Sequence, residues 1–196
     1  MNQTTTAKED AIRGQLHRLM LSALDFRHAL SAATFLLDDV DWSKTYSNED
    51  LRRFKCYETT MVVAYARPFT TARGHAAPFS WKLIKANGFE LTDTEKGIHQ
   101  RLMDFRNQLH AHSDYAASMI RSEVWRTPLP DGRTHDFLSI VGGEQLVFEE
   151  SEVQAIHTFL WKVRHHVDEA VQTHSAPRDD IPIVVRDVFG AADTLG

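Results

Sequence analysis

Apolar residues in the first part of the chain recur at alternating spacings of four and three. The series runs Ile12, Leu16, Leu19, Ala23, Phe26, Leu30, Ala33 and Leu37. Such spacing lines side chains up along one face of a helix, so the pattern predicts one long helix over residues 12–37. Acidic and turn-prone residues from Asp38 to Asn48 indicate where this helix ends.

Two more helices are predicted in the middle of the chain. One follows residues 47–50 and continues to Tyr65, with Pro68 ending or kinking it. The other opens at Thr92-Asp93-Thr94-Glu95, a capping box in which hydroxyl and carboxylate satisfy free amides reciprocally. Its predicted buried stripe is Ile98, Leu102, Phe105 and Leu109. Between the two helices, residues 81–84 are expected to form a short helical turn.

The character of the chain changes between residues 124 and 149. Three short β-prone runs, at 124–127, 137–141 and 145–148, are separated by Pro130-Asp131-Gly132 and by Gly142-Gly143. They predict an antiparallel hairpin or a three-stranded flap. A last strong helix begins at Ser151-Glu152 and ends before Pro177. Its inward residues are predicted to be Val153, Ile156, Leu160, Val163, Val167 and Ala170.

These elements predict a mainly α fold, an up-and-down bundle of four to five helices with a small antiparallel β insertion. We expect one domain over residues 8–174, with the insertion at about 124–149, followed by a tail over 175–196. The tail contains an apolar run, Ile181 to Val185, which could dock on the body or on a partner.

Composition narrows the class of protein. A chain of 196 residues with 42% hydrophobic and 25% charged residues is typical of a globular domain. No run approaches the roughly 18 apolar residues of a membrane span, and the polar N-terminus lacks the layout of a secretory signal. We therefore expect a cytoplasmic protein. Cys56 is the only cysteine, which excludes an internal disulfide and a cysteine-rich zinc site. We expect it, and the four tryptophans, to be buried.

Charge is unevenly distributed along the chain. The net charge of -5 argues against a protein that coats nucleic acid indiscriminately. Residues 51–85, however, contain seven basic residues and one acid. Such a segment can focus a polyanion onto one surface, although a solvated helix face would show the same pattern. The candidate RNA-binding residues are Arg52, Arg53, Lys55 and Arg67.

The end of the capped helix carries the candidate chemistry. Residues 105–115 read Phe-Arg-Asn-Gln-Leu-His-Ala-His-Ser-Asp-Tyr. This run resembles the Arg-x4-6-His motif of HEPN domains, in the "RN…AHSD" form of abortive-infection and toxin-type members. Arg106 and His112 are separated by five residues, and Asn107 is the polar residue after the arginine. The predicted bundle, with its long first helix, is similar to the HEPN layout over about residues 8 to 174.

The resemblance implies a metal-independent endoribonuclease, acting in defence or as a toxin, that needs no cofactor or metal. His112 would take the proton from a ribose 2′-hydroxyl, and Arg106 would stabilise the charge growing on the phosphoryl oxygens. Asn107 and His110 would assist. RNA, a second copy of the chain and an antitoxin protein are the partners that the resemblance implies. A non-catalytic module of the same kind, binding RNA, a nucleotide or a protein and supplying a dimer surface, is the alternative.

Two features of the motif leave its assignment open. On a straight helix Arg106 shares a face with His110, whereas His112 points away. His112 would need the helix to loosen near Ser113, or a second copy to complete the site. Tyr115 follows His112 by three residues, whereas members silenced by tyrosine modification have a spacing of two.

Two other interpretations use the same residues. His110, His112 and Asp114 are similar to the start of the metallo-β-lactamase zinc signature. That signature continues with histidine where this chain has Tyr115, and it follows a strand rather than a helix, so we do not favour it. Alternatively, Arg106 could simply pair with an acid on a neighbouring helix, and His110 could be an interior hydrogen-bonded residue.

Overall fold

Four long helices of the computed structural model run alternately up and down. The structure describes residues 3–70, 77–111, 121–141 and 145–176. In chain order its elements are α1 (Gln3–Asp39), α2 (Asn48–Ala66), a 3-10 turn (Arg67–Phe69), α3 (Lys82–Lys85), α4 (Asp93–Ala111), β1 (Arg121–Pro128), β2 (Thr134–Val141) and α5 (Glu150–Thr173). The predicted fold class, a helical bundle with a small β insertion, is confirmed.

Contacts between neighbouring helices fix these directions. Tyr57 of α2 contacts Asp39 of α1, and Arg67, directly after α2, contacts Asp25 of α1. Between α2 and α4, Lys55 contacts Phe105 and Tyr65 contacts His99. Between α4 and α5, Arg101 contacts Glu152 and Glu95 contacts Lys162. In each pair of neighbouring helices, residues with higher numbers on one helix contact residues with lower numbers on the other, so the two helices are antiparallel. One end of the bundle therefore holds the C-terminal ends of α1 and α4 and the N-terminal ends of α2 and α5. We call it the upper end.

The core consists of the predicted apolar stripes. Along α1, the residues of the predicted series from Leu16 to Ala33 are buried, and Ile12 and Leu37 are half-buried. All six predicted inward residues of α5 are buried. On α4, Leu102 and Phe105 are buried and Ile98 is half-buried, while the side chain of Leu109 lies outside the described residues. The spacing of apolar residues thus predicted the packing faces of these helices.

The predicted capping box opens α4. The Thr92 amide donates to Glu95 Oε2 over 2.8 Å, and the Glu95 amide donates to Thr92 Oγ1 over 3.2 Å. Lys162 of α5 reaches the same carboxylate at 2.9 Å. Burial raises the pKa of Glu95, but the hydrogen bonds from Thr92 and Lys162 outweigh it, so the pKa is lowered overall. The box therefore also attaches α4 to α5.

The β insertion is a two-stranded antiparallel hairpin. Trp125 pairs with Phe137 and Val124 with Leu138, and Gly132 adopts a φ of +81° in the turn, where glycine carries no steric cost. The third β-prone run, at 145–148, is not a strand. Its Val147 and Phe148 amides donate to a side chain of α2 instead of to a neighbouring strand. The three-stranded alternative is therefore wrong.

Burial corrects two further expectations. Trp42 and Trp81 are partly buried against the core, but Trp125 and Trp161 are 54% and 56% exposed. Trp125 lies on the hairpin, and Trp161 on the outer face of α5, where no described element covers it. Cys56 is exposed as well, because it lies on the face of α2 opposite to the buried stripe. Among the described helices, none combines the length and the apolar composition that crossing a bilayer requires.

Candidate functional site

Arg106 lies half-buried near the upper end of α4. Its Nη1 donates to Oδ1 of the adjacent Asn107 over 3.1 Å. No carboxylate of the described side chains pairs with this guanidinium, so within that part of the chain its charge is not neutralised. An arginine held by a neutral amide retains free donors, and a planar fork of N–H groups matches a phosphate.

The basic start of α2 lies at the same end of the bundle as Arg106. Because α2 and α4 are antiparallel, the Lys55 ammonium group reaches to 5.5 Å from the Phe105 ring centroid, one residue from Arg106. Arg52 and Arg53, exposed on the preceding turn of α2, are at the same end of the bundle. Three of the four predicted RNA-binding residues are therefore at the end of the bundle where α4 ends.

The fourth, Arg67, lies elsewhere. It follows Arg52 by fifteen residues, which corresponds to about 22 Å along a helix, and pairs with Asp25 at 3.3 Å. Arg53 and Lys55 have acidic partners as well: Arg53 pairs with Asp50 at 3.4 Å, and Lys55 pairs with the buried Glu58. The exposed Arg53 pair is weak in water and leaves that cation available to a phosphate, whereas Lys55 is held more firmly.

The two histidines of the motif lie partly or wholly outside the described residues. The backbone of His110 belongs to α4, but its side chain lies outside the described residues, and so does the whole of His112. The helical path through residue 110 does keep Arg106 and His110 on one face, four residues apart. Asp114 and Tyr115 also lie outside the described residues, so both open assignments of the catalytic histidine stay as predictions.

Comparisons with known protein families, with curated proteins and with solved structures find no match.

A buried glutamate, Glu58, fixes the chain that follows the hairpin. This residue is 1% exposed. Its Oε1 accepts from the amides of Val147 and Phe148 at 2.7 and 3.0 Å, and its Oε2 accepts from Lys55. Lys55 also donates to the Gln145 carbonyl over 3.1 Å. Sequence reasoning missed this contact because a single acid in a basic helix gives no sign that its partners lie ninety residues away.

The contact with Glu58 has a consequence for the candidate site. It seats Phe148 against Phe105, with ring centroids 5.3 Å apart and planes at 84°. Phe105 in turn precedes Arg106, so the segment before α5 packs directly beside the helical turn that carries the arginine. Glu58 therefore helps to position this end of α4, although it does not contact Arg106.

His99 is a second titratable residue that sequence reasoning missed. It lies on α4 seven residues before Arg106, hence on the same face but about 10 Å away. Its Nδ1 is 2.6 Å from the Tyr65 hydroxyl. Burial lowers the pKa of His99 and raises that of Tyr65 well above 10.0. Because its Nδ1 is held by the Tyr65 hydroxyl, we do not include His99 in the candidate site.

The upper end also contains an acidic hollow, lined by Trp42, Glu149, Glu150, Ser151 and Gln154. Its two glutamates would repel a phosphate, and Arg106 does not line it. Among the side chains that the structure describes, no group of three or more histidine, cysteine and acidic residues has the arrangement of a metal site. The side chains of the His110-x-His112-x-Asp114 alternative lie outside the described residues.

Proposed function

We propose that the chain is an HEPN-like, metal-independent endoribonuclease whose site is built on the end of α4. The observation that carries the proposal is the state of Arg106, a half-buried arginine bonded to a neutral amide and paired with no described carboxylate. Leaving a partly desolvated cation without an acid costs free energy. A site that receives an anion accounts for this arrangement, whereas a structural ion pair does not.

The surroundings of Arg106 support an RNA substrate. Arg52, Arg53 and Lys55 lie at the same end of the bundle, and exposed cations there would attract the phosphates that flank the cleaved bond. The basic segment that the sequence singles out thus contributes to the site through the antiparallel packing of α2 and α4. In an up-and-down bundle, this arrangement is similar to the layout that the motif implies.

In the proposed reaction the protein supplies one base and one cation. His112 removes the proton of the ribose 2′-hydroxyl, and the oxygen attacks the adjacent phosphorus. The 5′-oxygen of the next nucleotide leaves and takes up a proton, so that a cyclic phosphate remains. The Arg106 guanidinium donates to the phosphoryl oxygens as their charge grows. A second copy of the chain, or a loosened helix end, would bring His112 towards Arg106.

The test is cleavage of labelled RNA in the presence of a chelator. The wild type is compared with Arg106→Ala, His112→Ala and His110→Ala, and with Arg101→Ala as the matched control. Arg101 lies on the same helix but is exposed and 3.7 Å from Glu152, so its loss should leave cleavage unchanged. Losing the base or the arginine should lower the rate by roughly 10²–10⁴-fold. The products should end in a cyclic phosphate.

Two results would overturn the proposal: cleavage that survives both Arg106→Ala and His112→Ala, or cleavage that the chelator abolishes. If no RNA is cleaved, but RNA is bound and Arg106→Ala weakens that binding, the catalytic proposal is wrong and the non-catalytic binding module is supported. The variant His110→Ala decides which of the two histidines acts as the base.

A further inference from the structure

The β hairpin exposes two aromatic rings on one of its faces. Trp125 of β1 lies directly opposite Phe137 of β2, and side chains opposite each other in an antiparallel pair point to the same face. Their ring centroids are 6.4 Å apart and the ring planes differ by 21°. Trp125 is 54% exposed and Phe137 45%, and among the described rings each contacts only the other. We call Trp125 and Phe137 the hairpin ring pair.

The connections of the hairpin place this ring pair near the upper end of the bundle. β2 ends at Val141, four residues before Gln145. The Gln145 carbonyl accepts from Lys55 over 3.1 Å, and Lys55 also contacts the ring of Phe105, the neighbour of Arg106. Four extended residues span at most about 14 Å, which limits the distance between Gln145 and the base of the hairpin. The ring pair lies four residues further along the strands, so it is within about 27 Å of Gln145.

Joining the two strands does not by itself account for these rings. The register is already supported on the opposite face, where Nε and Nη2 of Arg126 each donate to the Asp136 carboxylate over 2.8 Å. A cross-strand pair of rings adds to the stability of a hairpin. About half of each ring nevertheless stays in water, where exposed apolar surface is unfavourable. A ligand that covers the ring faces accounts for this exposure.

Single-stranded RNA suits both the rings and their position. Unpaired bases stack on aromatic side chains, whereas the bases of a duplex already stack on one another. Nearly parallel ring planes match the parallel planes of consecutive stacked bases. The upper end of the bundle also carries the cations that a nucleic acid backbone requires, among them the exposed Arg52 and Arg53 and the half-buried Arg106. The rings and the candidate phosphate site are therefore within reach of one RNA strand.

The charge of the hairpin indicates how it would contribute. Residues 121–141 contain three arginines and three acids, so the hairpin has no net charge with histidine neutral. It therefore adds little to the attraction of phosphates, which depends on uncompensated cations. Stacking depends on the ring faces and not on charge. The two contributions can be separated by experiment, because only the attraction of phosphates weakens with salt.

We propose that the hairpin ring pair is a stacking platform for single-stranded RNA, which holds bases of the strand whose phosphate lies at Arg106. The inference rests on the proposed function, because it assigns one RNA to both places. It also restricts the substrate of the site to unpaired RNA. Trp125 and Phe137 bind the substrate in this scheme and take no part in the cleavage step.

The experiment measures the binding of a fluorescein-labelled oligoadenylate of about 12 nucleotides by fluorescence anisotropy. The parent is the full-length chain with His112→Ala, which prevents cleavage during the titration. Adding Trp125→Leu removes the aromatic face and retains an apolar side chain, so it should weaken binding roughly tenfold, equivalent to about 1.4 kcal/mol. Trp125→Phe should retain most of the affinity. Leu138→Ala is the matched control and should leave binding unchanged, because Leu138 is 64% exposed on the opposite face of the hairpin.

An abasic strand and a salt series separate stacking from charge. An abasic oligonucleotide of the same length retains the phosphates without the bases, so Trp125→Leu should not change its binding. The ratio between the affinities of the parent and Trp125→Leu for oligoadenylate should stay constant as the salt concentration rises. The double variant Arg52→Ala with Arg53→Ala should instead reduce the salt dependence itself.

Equal affinities of the parent and Trp125→Leu for oligoadenylate would overturn the proposal, and so would an equal loss with the abasic strand. If Leu138→Ala reproduces the loss and the mass in light scattering doubles with protein concentration, the hairpin is an interface between copies and the platform is wrong.

Cleavage by the chain that retains His112 distinguishes this inference from the proposed function. If RNA is cleaved but Trp125→Leu does not weaken binding, only the platform is wrong. If RNA is not cleaved but Trp125→Leu weakens binding to oligoadenylate alone, the platform is supported and the catalytic proposal is wrong. A chain that binds no RNA removes both.

Discussion

The Tyr65 hydroxyl lies 2.6 Å from Nδ1 of His99, and this contact joins α2 to α4 inside a cluster of aromatic rings. Phe69 and Trp81 pack against the imidazole, with ring centroids 4.9 and 5.4 Å away. Burial keeps the phenol protonated by raising its pKa, so its hydroxyl can donate to a neutral imidazole. The pair is therefore a structural contact whose strength depends on the charge of His99.

The first prediction concerns pH. Burial lowers the pKa of His99 from its ordinary value of 6.5, so the unfolded chain binds a proton more readily than the folded one. The stabilisation is complete above pH 6.5 and is lost as the pH falls through this value towards the pKa of the folded state. Chemical denaturation from about pH 7.5 to about pH 5.5 should show a decline in the free energy of unfolding. The variant His99→Gln should show a smaller decline, and an identical one would contradict the assignment.

A second prediction concerns Glu58 and its matched exposed counterpart, Asp93. Both acids pair with a lysine three residues away, but Glu58 is 1% exposed and Asp93 is 97% exposed. Removing one partner of a buried pair leaves an uncompensated charge and unpaired amides, so Glu58→Gln should lower the free energy of unfolding by about 3 kcal/mol. Asp93→Asn should cost less than about 1 kcal/mol. Comparable losses of unfolding free energy for the two variants in urea denaturation would contradict this prediction.

Two tryptophans provide the third comparison. Trp81 stacks on Phe89 with ring centroids 5.1 Å apart and touches Phe69, whereas Trp125 lies on the hairpin against Phe137 alone among the described rings. Truncating a large aromatic residue in a core removes packing and leaves a cavity, so Trp81→Ala should destabilise the bundle by about 3 kcal/mol. Trp125→Ala should change it by less than about 0.5 kcal/mol. Thermal unfolding followed by far-UV circular dichroism measures both.

The sequence predicted those features that depend on local spacing. The α1 seam, the Thr92–Glu95 box and the inward face of α5 each follow from residues a few positions apart, and their places in the fold agree with the prediction. A helix buries the side that its apolar periodicity defines, whichever neighbour it meets. Periodicity therefore determined the fold class without any knowledge of which helices would be adjacent.

Contacts between distant parts of the chain were not predictable in this way. The two amides that Glu58 accepts from, and the Tyr65–His99 pair, join residues 89, 90 and 34 positions apart. No short-range pattern encodes them. The same limit explains why the β-prone run at 145–148 is not a strand. Two of its backbone amides donate to the Glu58 carboxylate on α2 instead of to a neighbouring strand. At the candidate site, the sequence singled out Arg106 and Asn107 but could not indicate that Lys55 would contact the neighbouring Phe105.

The last prediction separates a functional from a structural Arg106. If the guanidinium awaits a substrate anion, Arg106→Met should cost less than about 1 kcal/mol of stability, because no described carboxylate loses a partner and the methionine retains the apolar stem. The matched variant Lys55→Met leaves the buried Glu58 without its lysine partner and should cost about 3 kcal/mol of stability. RNA cleavage should show the reverse order, with Arg106→Met the more damaging. An Arg106→Met chain that unfolds as readily as Lys55→Met would identify Arg106 as part of a structural ion pair and remove the main support for a phosphate site at the end of α4.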